Sequence, residues 1–439
     1  MFRLLPLIVP CALLAAALAA PVAAQNSPTD EYQLLGYTSK AEKNRIATLA
    51  SKLESGEVTL EFSGHRGYLD SFLHALGIDP NSQVLVFSKT SLQHPLIDAK
   101  HPRAVYFNDD TYIGWVQNSN LVEVMTTDAR LGNVFYAFHN LPNAKEPIER
   151  QSQRCLVCHD SSGAGGGGVP QILAQSSVYG TNDMMLAEVV NNTNVTDKTP
   201  IDKRWGGWYV TGLSGKQKHL GNVQLDSEQE LARLERNLEI NIPTLADQMR
   251  FDPRPYAGKT SDIVALLVLE HQLTVQNQLT YIRFKAPAVL ERSNLASASS
   301  ARSWDELPEK ARKVLTRMND ELVRLMFFTD AAPFTDAIKG NADYVANFEA
   351  AGPKDQSGRS LRQFDLQKRL FKYPLSYLVY SEFFDTLPPF SKDYVMQQIA
   401  AVLQGKRKDI AANLTAAQRK DISEILLATK PEFAGYFSR

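Results

Sequence analysis

Cysteine is scarce in this chain, three in 439 residues. Cys11 lies in the apolar N-terminal stretch, so only Cys155 and Cys158 stand in the body of the protein. A framework of well-spaced disulfides is therefore excluded. Neither sign of charge is in excess: 47 Lys+Arg oppose 48 Asp+Glu, for a formal net charge of −1. That balance leaves no electrostatic footprint for nucleic acid and no polybasic block for a membrane surface. Beyond residue 24 no uncharged apolar run approaches the roughly 20 residues needed to span a bilayer. No internal repeat with a period of about 20 to 50 residues is visible. What remains, at 44% apolar and 22% charged, is an ordinary globular composition. The length suits two or three domains, or one large core with additions.

Residues 1–24 read as a secretory signal peptide. Met1-Phe2-Arg3 is a short positive start, Leu4 to Ala20 is apolar, and Val22-Ala23-Ala24 is a small-residue cleavage site before Gln25. Pro6 and Pro10 interrupt the apolar run, which argues against a retained anchor. The expectation is a periplasmic or secreted protein with no transmembrane anchor after cleavage.

Both remaining cysteines lie in Cys155-Leu156-Val157-Cys158-His159. This is the spacing of covalent haem c attachment. Two thiols three residues apart reach the two haem vinyl groups as thioethers, and the imidazole that follows is held against the iron as an axial ligand. His159 is the proximal metal ligand on this reading, and one haem c per chain is the expected cofactor. A redox dithiol would want a strand before the motif and a helix after it, and a zinc site a second Cys/His pair nearby. The nearest other histidine is His139, and a glycine run follows the motif.

Here the chain resembles the cytochrome c superfamily. The resemblance covers about 16 residues, Cys155 to Pro170. It implies that the carbonyl of Pro170 accepts a hydrogen bond from the other nitrogen of His159, fixing the ring and raising its basicity. Tyr106-Phe107-Asn108-Asp109-Asp110, Arg204-Trp205-Gly206-Gly207-Trp208-Tyr209-Val210-Thr211-Gly212 and Phe371-Lys372-Tyr373-Pro374-Leu375-Ser376-Tyr377 resemble large exported bacterial proteins described only as containing a cytochrome c domain. That likeness carries no reaction with it.

The expected fold is mainly α, with a cytochrome-c-like haem core, a β-containing N-terminal region at 25–149 and a helical C-terminal region at 286–439. Helical spacing marks 41–54 and 69–76, and alternation marks strands at 56–62, 83–88, 104–107, 112–116, 121–125 and 134–137. Residues 140–149, with Pro142 and Pro147, read as loop. The haem-binding core is assigned to 150–285, with a long helix around 260–280. Further helices are expected at 309–328, 364–385, 393–404 and 416–428, with 330–358 irregular.

A sixth protein ligand makes an electron carrier, whereas an open iron position permits small-molecule chemistry. His271, on an apolar helical stripe with Val264, Leu267, Val268 and Val275, is either a distal ligand or a core histidine with satisfied hydrogen bonds. His219, in a polar loop, is either a ligand or an exposed turn. Met184, Met185 and Met249 are the thioether alternatives. Arg204 is the cofactor-binding candidate for a haem propionate, with Trp205, Trp208 and Tyr209 as haem wall or core strand. Arg154 is a second propionate candidate. Gly163 to Gly168 matches a dinucleotide fingerprint in form, but no strand precedes it, and a loop beside the haem or at the surface fits better. Asn108-Asp109-Asp110 reads as a surface turn, and His65, His74, His94 and His101 as structural or exposed. Lys216 and Lys218 suit a solvated rim facing an acidic redox partner.

The reading is an exported monohaem c-type cytochrome that transfers electrons. The alternative is a haem-dependent oxidoreductase, peroxidase-like or oxidase-like, acting on a small molecule, or a haem-based redox or gas sensor. The expected partners are a periplasmic redox protein or a small-molecule substrate, with no nucleic acid. If no haem binds, the chain is a binding module with a dithiol.

Overall fold

Apolar residues alternating between Val84 and Phe138 pair into an antiparallel sheet in the computed structural model, which describes residues 30–142, 147–160, 168–189, 194–238, 240–247, 250–412 and 414–438. The leader at 1–24, Gly163 to Gly167 and Met249 lie outside the described residues. The strands are β1 (Val84–Val86), β2 (Arg103–Phe107), β3 (Thr111–Trp115), β4 (Leu121–Asp128), β5 (Gly132–His139), β6 (Ile148–Arg150), β7 (Ser177–Gly180), β8 (Met185–Glu188), β9 (Trp208–Tyr209) and β10 (Gln224–Leu225). Seven of them form one sheet in the order β6-β5-β4-β3-β2-β1-β9, and a small sheet runs β10-β7-β8. The β4–β5 hairpin closes where the Asp128 carboxylate accepts from the Arg130 and Leu131 amides at 2.8 and 3.0 Å. Gly132 follows at φ +83°, and a Cβ there would lie 2.9 Å from Thr280, so the hairpin tip meets the long helix at backbone contact.

The helices among the described residues are α1 (Asp30–Leu35), α2 (Arg45–Glu54), α3 (Leu69–Ala75), α4 (Leu156–His159), α5 (Ile263–Arg292), α6 (Glu309–Met326), α7 (Ala342–Ala350), α8 (Glu382–Asp385), α9 (Pro389–Leu403), α10 (Lys408–Ala411), α11 (Ala416–Thr429) and α12 (Ala434–Phe437). Asn44 caps α2 by accepting from the Ala47 amide, and Ile46 and Leu49 turn its apolar face inward. They join Leu69, Phe72 and Leu73 of α3 against one face of the sheet, beside Ile113, Trp115, Val124 and Phe138. The other face, with Val84, Val86, Phe107, Tyr112, Met125 and Phe135, meets α5 and the C-terminal helices in a second core. Asp262 caps α5 by accepting from the Val264 and Ala265 amides. This helix is buried nearly all round, so its polar residues Glu270, His271, Gln272, Gln276 and Asn277 must find partners inside the protein.

The architecture is mixed α/β: the expected β-containing N-terminal region is an antiparallel sheet region, and the expected C-terminal region is helical. Between Arg154 and Asp262 the described residues hold only α4, 3-10 turns and strands β7 to β10. The region assigned to a haem core also shares the sheet, since β9 extends its edge beside β1. Residues 56–62 are not a strand; Val58 and Leu60 pack on the first core without a strand partner. The stretch 364–385 is not one helix, because Pro374 lacks an amide hydrogen and biases Tyr373 away from helix. It holds a bridge between Phe364 and Phe371, a 3-10 turn at Tyr377–Tyr380 and α8. Conversely, α7 stands within 330–358, capped by Asn341, and β6 within the expected loop. No helix among the described residues is long and apolar enough to cross a membrane.

Candidate functional site

The Cys155 to His159 motif folds as the single turn α4, with the amide of His159 donating to the Cys155 carbonyl at 3.0 Å. Cys155 is half-buried, Cys158 is exposed, and no disulfide joins them. Burial pushes the Cys155 thiol up to about 11, with a smaller contribution from the Glu123 carboxylate. A redox dithiol needs a depressed thiol pKa, so this environment opposes that chemistry. No group of three or more His, Cys, Asp or Glu among the described residues is placed to hold a metal ion.

The His159 ring packs on Phe135 of β5, with centroids 4.6 Å apart. Its Nδ1 lies 2.7 Å from the carbonyl oxygen of Gln171. A carbonyl only accepts, so the proton is on Nδ1 and the lone pair on Nε2. Burial also lowers the pKa of His159, outweighing the opposite effect of the Gln171 bond. The ring is thus a neutral imidazole with Nε2 as its donor atom, the form that ligates iron. The carbonyl is not that of Pro170, as the resemblance implied. Pro170 instead accepts from Asn133 Nδ2 at 3.1 Å, and the strap after the motif is offset by one residue.

The sheet face beneath the motif has features that suit a flat prosthetic group. Val105, Gly114, Glu123 and Ala137 are cross-strand neighbours from β2 to β5, so they share one face with Arg103 and Phe135. Val105 remains half-buried although its strand is interior to the sheet, as do Cys155, Leu156 and Ile172. Arg103 Nη1 pairs with Glu123 Oε2 at 2.8 Å, and the fields of both reach His159. Arg103 Nε is buried without a hydrogen-bond partner. An orphaned guanidinium N–H beside the motif fits a carboxylate of the haem edge. Sequence reasoning missed Arg103, since nothing in an isolated strand residue signals that the fold will bring it near residue 159.

Arg204 has a different role from the one expected. It is 2% exposed, with Nη1 on Glu270 Oε2 at 2.8 Å, Nε on the Thr199 carbonyl at 2.7 Å and Nη2 on the Asp197 carbonyl at 2.9 Å. Its donors are committed to the core and are not offered to a propionate. Burial raises Glu270 to about 7 against the pull of Arg204. The Trp208 indole donates to the Gln175 carbonyl at 2.9 Å and the Tyr209 hydroxyl to Ala99 at 2.6 Å, the core-strand reading of this stretch. Arg154 is exposed next to Cys155.

Neither distal candidate presents a free lone pair. His271 is fully buried, with Nδ1 2.8 Å from Asp197 Oδ2 and Nε2 2.8 Å from Ser376 Oγ. The carboxylate holds a proton on Nδ1, and Nε2 and the Ser376 hydroxyl share the second hydrogen bond. Asp197, His271 and Ser376 thereby form an acid–base–hydroxyl array, but Ser376 is 0% exposed and no reacting atom can approach it. The array satisfies a buried imidazole that also stacks on Phe328 at 4.2 Å. His219 is likewise buried; its Nδ1 accepts from the Gly221 amide at 3.1 Å, which places the proton on Nε2. Burial depresses its pKa to about 4. The exposed-turn reading of His219 is therefore replaced by a core histidine set edge-on to Trp205.

Met184 and Met185 are 64% and 50% exposed and line a surface pocket with Lys89, Gln175 and Tyr179. Asn108, Asp109 and Asp110 form the β2–β3 turn, with Asp110 paired to Arg45 and Asp109 to Arg362. Lys216 and Lys218 are exposed. Comparison of the chain with protein-family models, with curated proteins and with solved structures gives no match.

Proposed function

We propose that this chain is an exported monohaem c-type protein whose function is electron transfer. Cys155 and Cys158 form the two thioethers, His159 Nε2 is the proximal ligand, and Arg103 Nε binds a propionate. The observation that carries the reading is the bond from His159 Nδ1 to the Gln171 carbonyl, which sets the ring as a neutral ligand with Nε2 available. Bound there, haem iron would supply one-electron chemistry by cycling between its ferric and ferrous states. The chain's own residues orient the imidazole through Gln171, and Arg103 and the β2–β5 face beside the motif would hold the group. On this reading the cytochrome-c-like element is confined to the motif and its strap, and an antiparallel sheet replaces the helical surround.

A second reading, a haem oxidoreductase or gas sensor acting on a small molecule, draws on a specific observation. Both ring nitrogens of His271 and Nδ1 of His219 are hydrogen-bonded inside the core, which favours a sixth iron position that neither histidine closes. The test is expression with a c-type maturation system, followed by spectra of oxidised and reduced protein with and without carbon monoxide. Haem that survives denaturation and acid extraction, and is lost in Cys155→Ala/Cys158→Ala, supports the haem assignment. A spectrum insensitive to carbon monoxide supports the carrier, and a shifted one the enzyme or sensor. Absence of covalent haem in the wild type overturns both.

A further inference from the structure

We infer that Asn277 is a positioning residue for His159, acting through the strap at 170–172 and so setting the electron affinity of the proposed haem; the inference rests on the haem reading above. Asn277 lies on α5 and is 6% exposed. Its Oδ1 accepts from the Ile172 amide at 2.9 Å and its Nδ2 donates to the Ile172 carbonyl at 2.8 Å. One side-chain amide thus makes both bonds that a neighbouring strand would make to Ile172. Asn133, on β5, donates from Nδ2 both to Asn277 Oδ1 and to the Pro170 carbonyl, each at 3.1 Å. The Asn133 backbone carbonyl in turn accepts from the buried Tyr37 hydroxyl at 2.9 Å.

These bonds converge on the two residues that flank Gln171. With Pro170 held from the sheet and Ile172 from the helix, the peptide between them has little freedom to rotate. Its carbonyl is kept at 2.7 Å from His159 Nδ1. Phe135, the ring that supports the imidazole, stands two residues beyond Asn133 on the same strand, so β5 locates both the ligand and its strap. A carbonyl held on Nδ1–H raises imidazole basicity and favours the ferric state. Loosening the strap therefore shifts the reduction potential upward.

The experiment compares Asn277→Ala, Asn277→Asp and Gln276→Met in the full chain. Asn277→Asp keeps the acceptor for Ile172 N–H and Asn133, and loses only the donor to Ile172. Gln276 bonds the Tyr112 hydroxyl and the Asp109 carbonyl instead, so its replacement disturbs α5 without touching the strap. In the haem-free protein, the ¹⁵N shifts of the His159 ring report the tautomer. The wild type and Gln276→Met should show the proton on Nδ1, and Asn277→Ala a mixture, with faster amide exchange at Ile172. In the haem-loaded protein the potential should rise in Asn277→Ala, rise less in Asn277→Asp and stay in place in Gln276→Met. An unchanged tautomer and an unchanged potential in Asn277→Ala overturn the inference while leaving the haem reading intact, as does an equal shift in Gln276→Met. If Asn277→Ala does not fold, Asn277→Asp decides through the same two readouts. A wild type that takes up no covalent haem overturns the haem reading, and the tautomer measurement still decides whether Asn277 positions the ring.

Discussion

His159 and Gln171 are bonded to each other twice. The Gln171 amide donates to the His159 carbonyl at 2.9 Å, and His159 Nδ1–H donates to the Gln171 carbonyl at 2.7 Å. Both bonds use the Gln171 backbone. Gln171→Ala should therefore leave haem attachment and the absorption spectrum unchanged. Gln171→Pro removes the amide donor at a cost of about 1 kcal/mol for a lost hydrogen bond, and lowers the yield of haem-loaded protein. Denaturant unfolding of the haem-free forms and haem stain of the loaded forms check the pair.

The two distal candidates should prove structural. His271→Ala removes the hydrogen-bond partner of the half-buried Asp197 carboxylate and of the buried Ser376 hydroxyl and opens a cavity beneath Phe328, which together cost on the order of 3 kcal/mol. The spectrum of whatever folds should match the wild type, as should that of His219→Asn. A change from low spin to high spin in either variant would return that histidine to the iron.

Acid should destabilise the protein through His219. Its folded pKa, about 4, lies below the ordinary value of 6.5, so the unfolded chain binds the proton more tightly. The sign follows: the neutral buried ring favours the fold fully above pH 6.5, and this contribution declines as pH falls towards 4, by up to about 3 kcal/mol. Wild type and His219→Asn, compared by urea unfolding at pH 7 and pH 4.5, should differ in slope, with the wild type losing more stability on acidification.

The Arg204–Glu270 pair and the Arg103–Glu123 pair should separate cleanly. Arg204→Met leaves a carboxyl buried without its partner and costs about 3 to 5 kcal/mol, whereas Arg204→Met/Glu270→Leu recovers most of that loss. Haem incorporation per folded molecule should be the same in the double variant as in the wild type. Arg103→Leu should have a smaller effect on haem-free stability, because its ion pair is partly exposed, and should weaken retention of the haem edge, read as a shifted reduction potential.

Thiol reactivity gives a direct check on the motif before haem is added. With its pKa near 11, Cys155 has about one thiolate in a thousand at pH 8. Iodoacetamide should label the exposed Cys158 well before Cys155, as resolved by peptide mass spectrometry. Equal labelling rates would contradict the burial of Cys155.

Several elements were legible from local pattern alone. The spacing of Cys155, Cys158 and His159 lies within five consecutive residues, so it is visible without tertiary information. The helices at 45–54, 309–326 and 416–429 and the strands from 84 to 139 follow from periodicity, because burial on one face repeats every 3.6 or 2 residues. Where periodicity misled, a tertiary partner was absent or an interruption prevailed: 56–62 alternates but meets no strand, and 364–385 has helical spacing broken by Pro374.

The Cys-x-x-Cys-His spacing, the scarcity of other thiols, the balanced charge and a β-containing half followed by a helical half are all readable from the amino-acid order. Which partner each buried polar group takes is set by the fold. Arg204 lies 66 residues from Glu270, His271 74 from Asp197 and 105 from Ser376, and Asn277 105 from Ile172. Desolvation forces each buried donor and acceptor to be satisfied, but the amino-acid order does not reveal by whom. Closure of the chain brings Arg103 near His159 and commits Arg204, His219 and His271 elsewhere, so the ligand-competent ring is defined by contacts that no local pattern encodes.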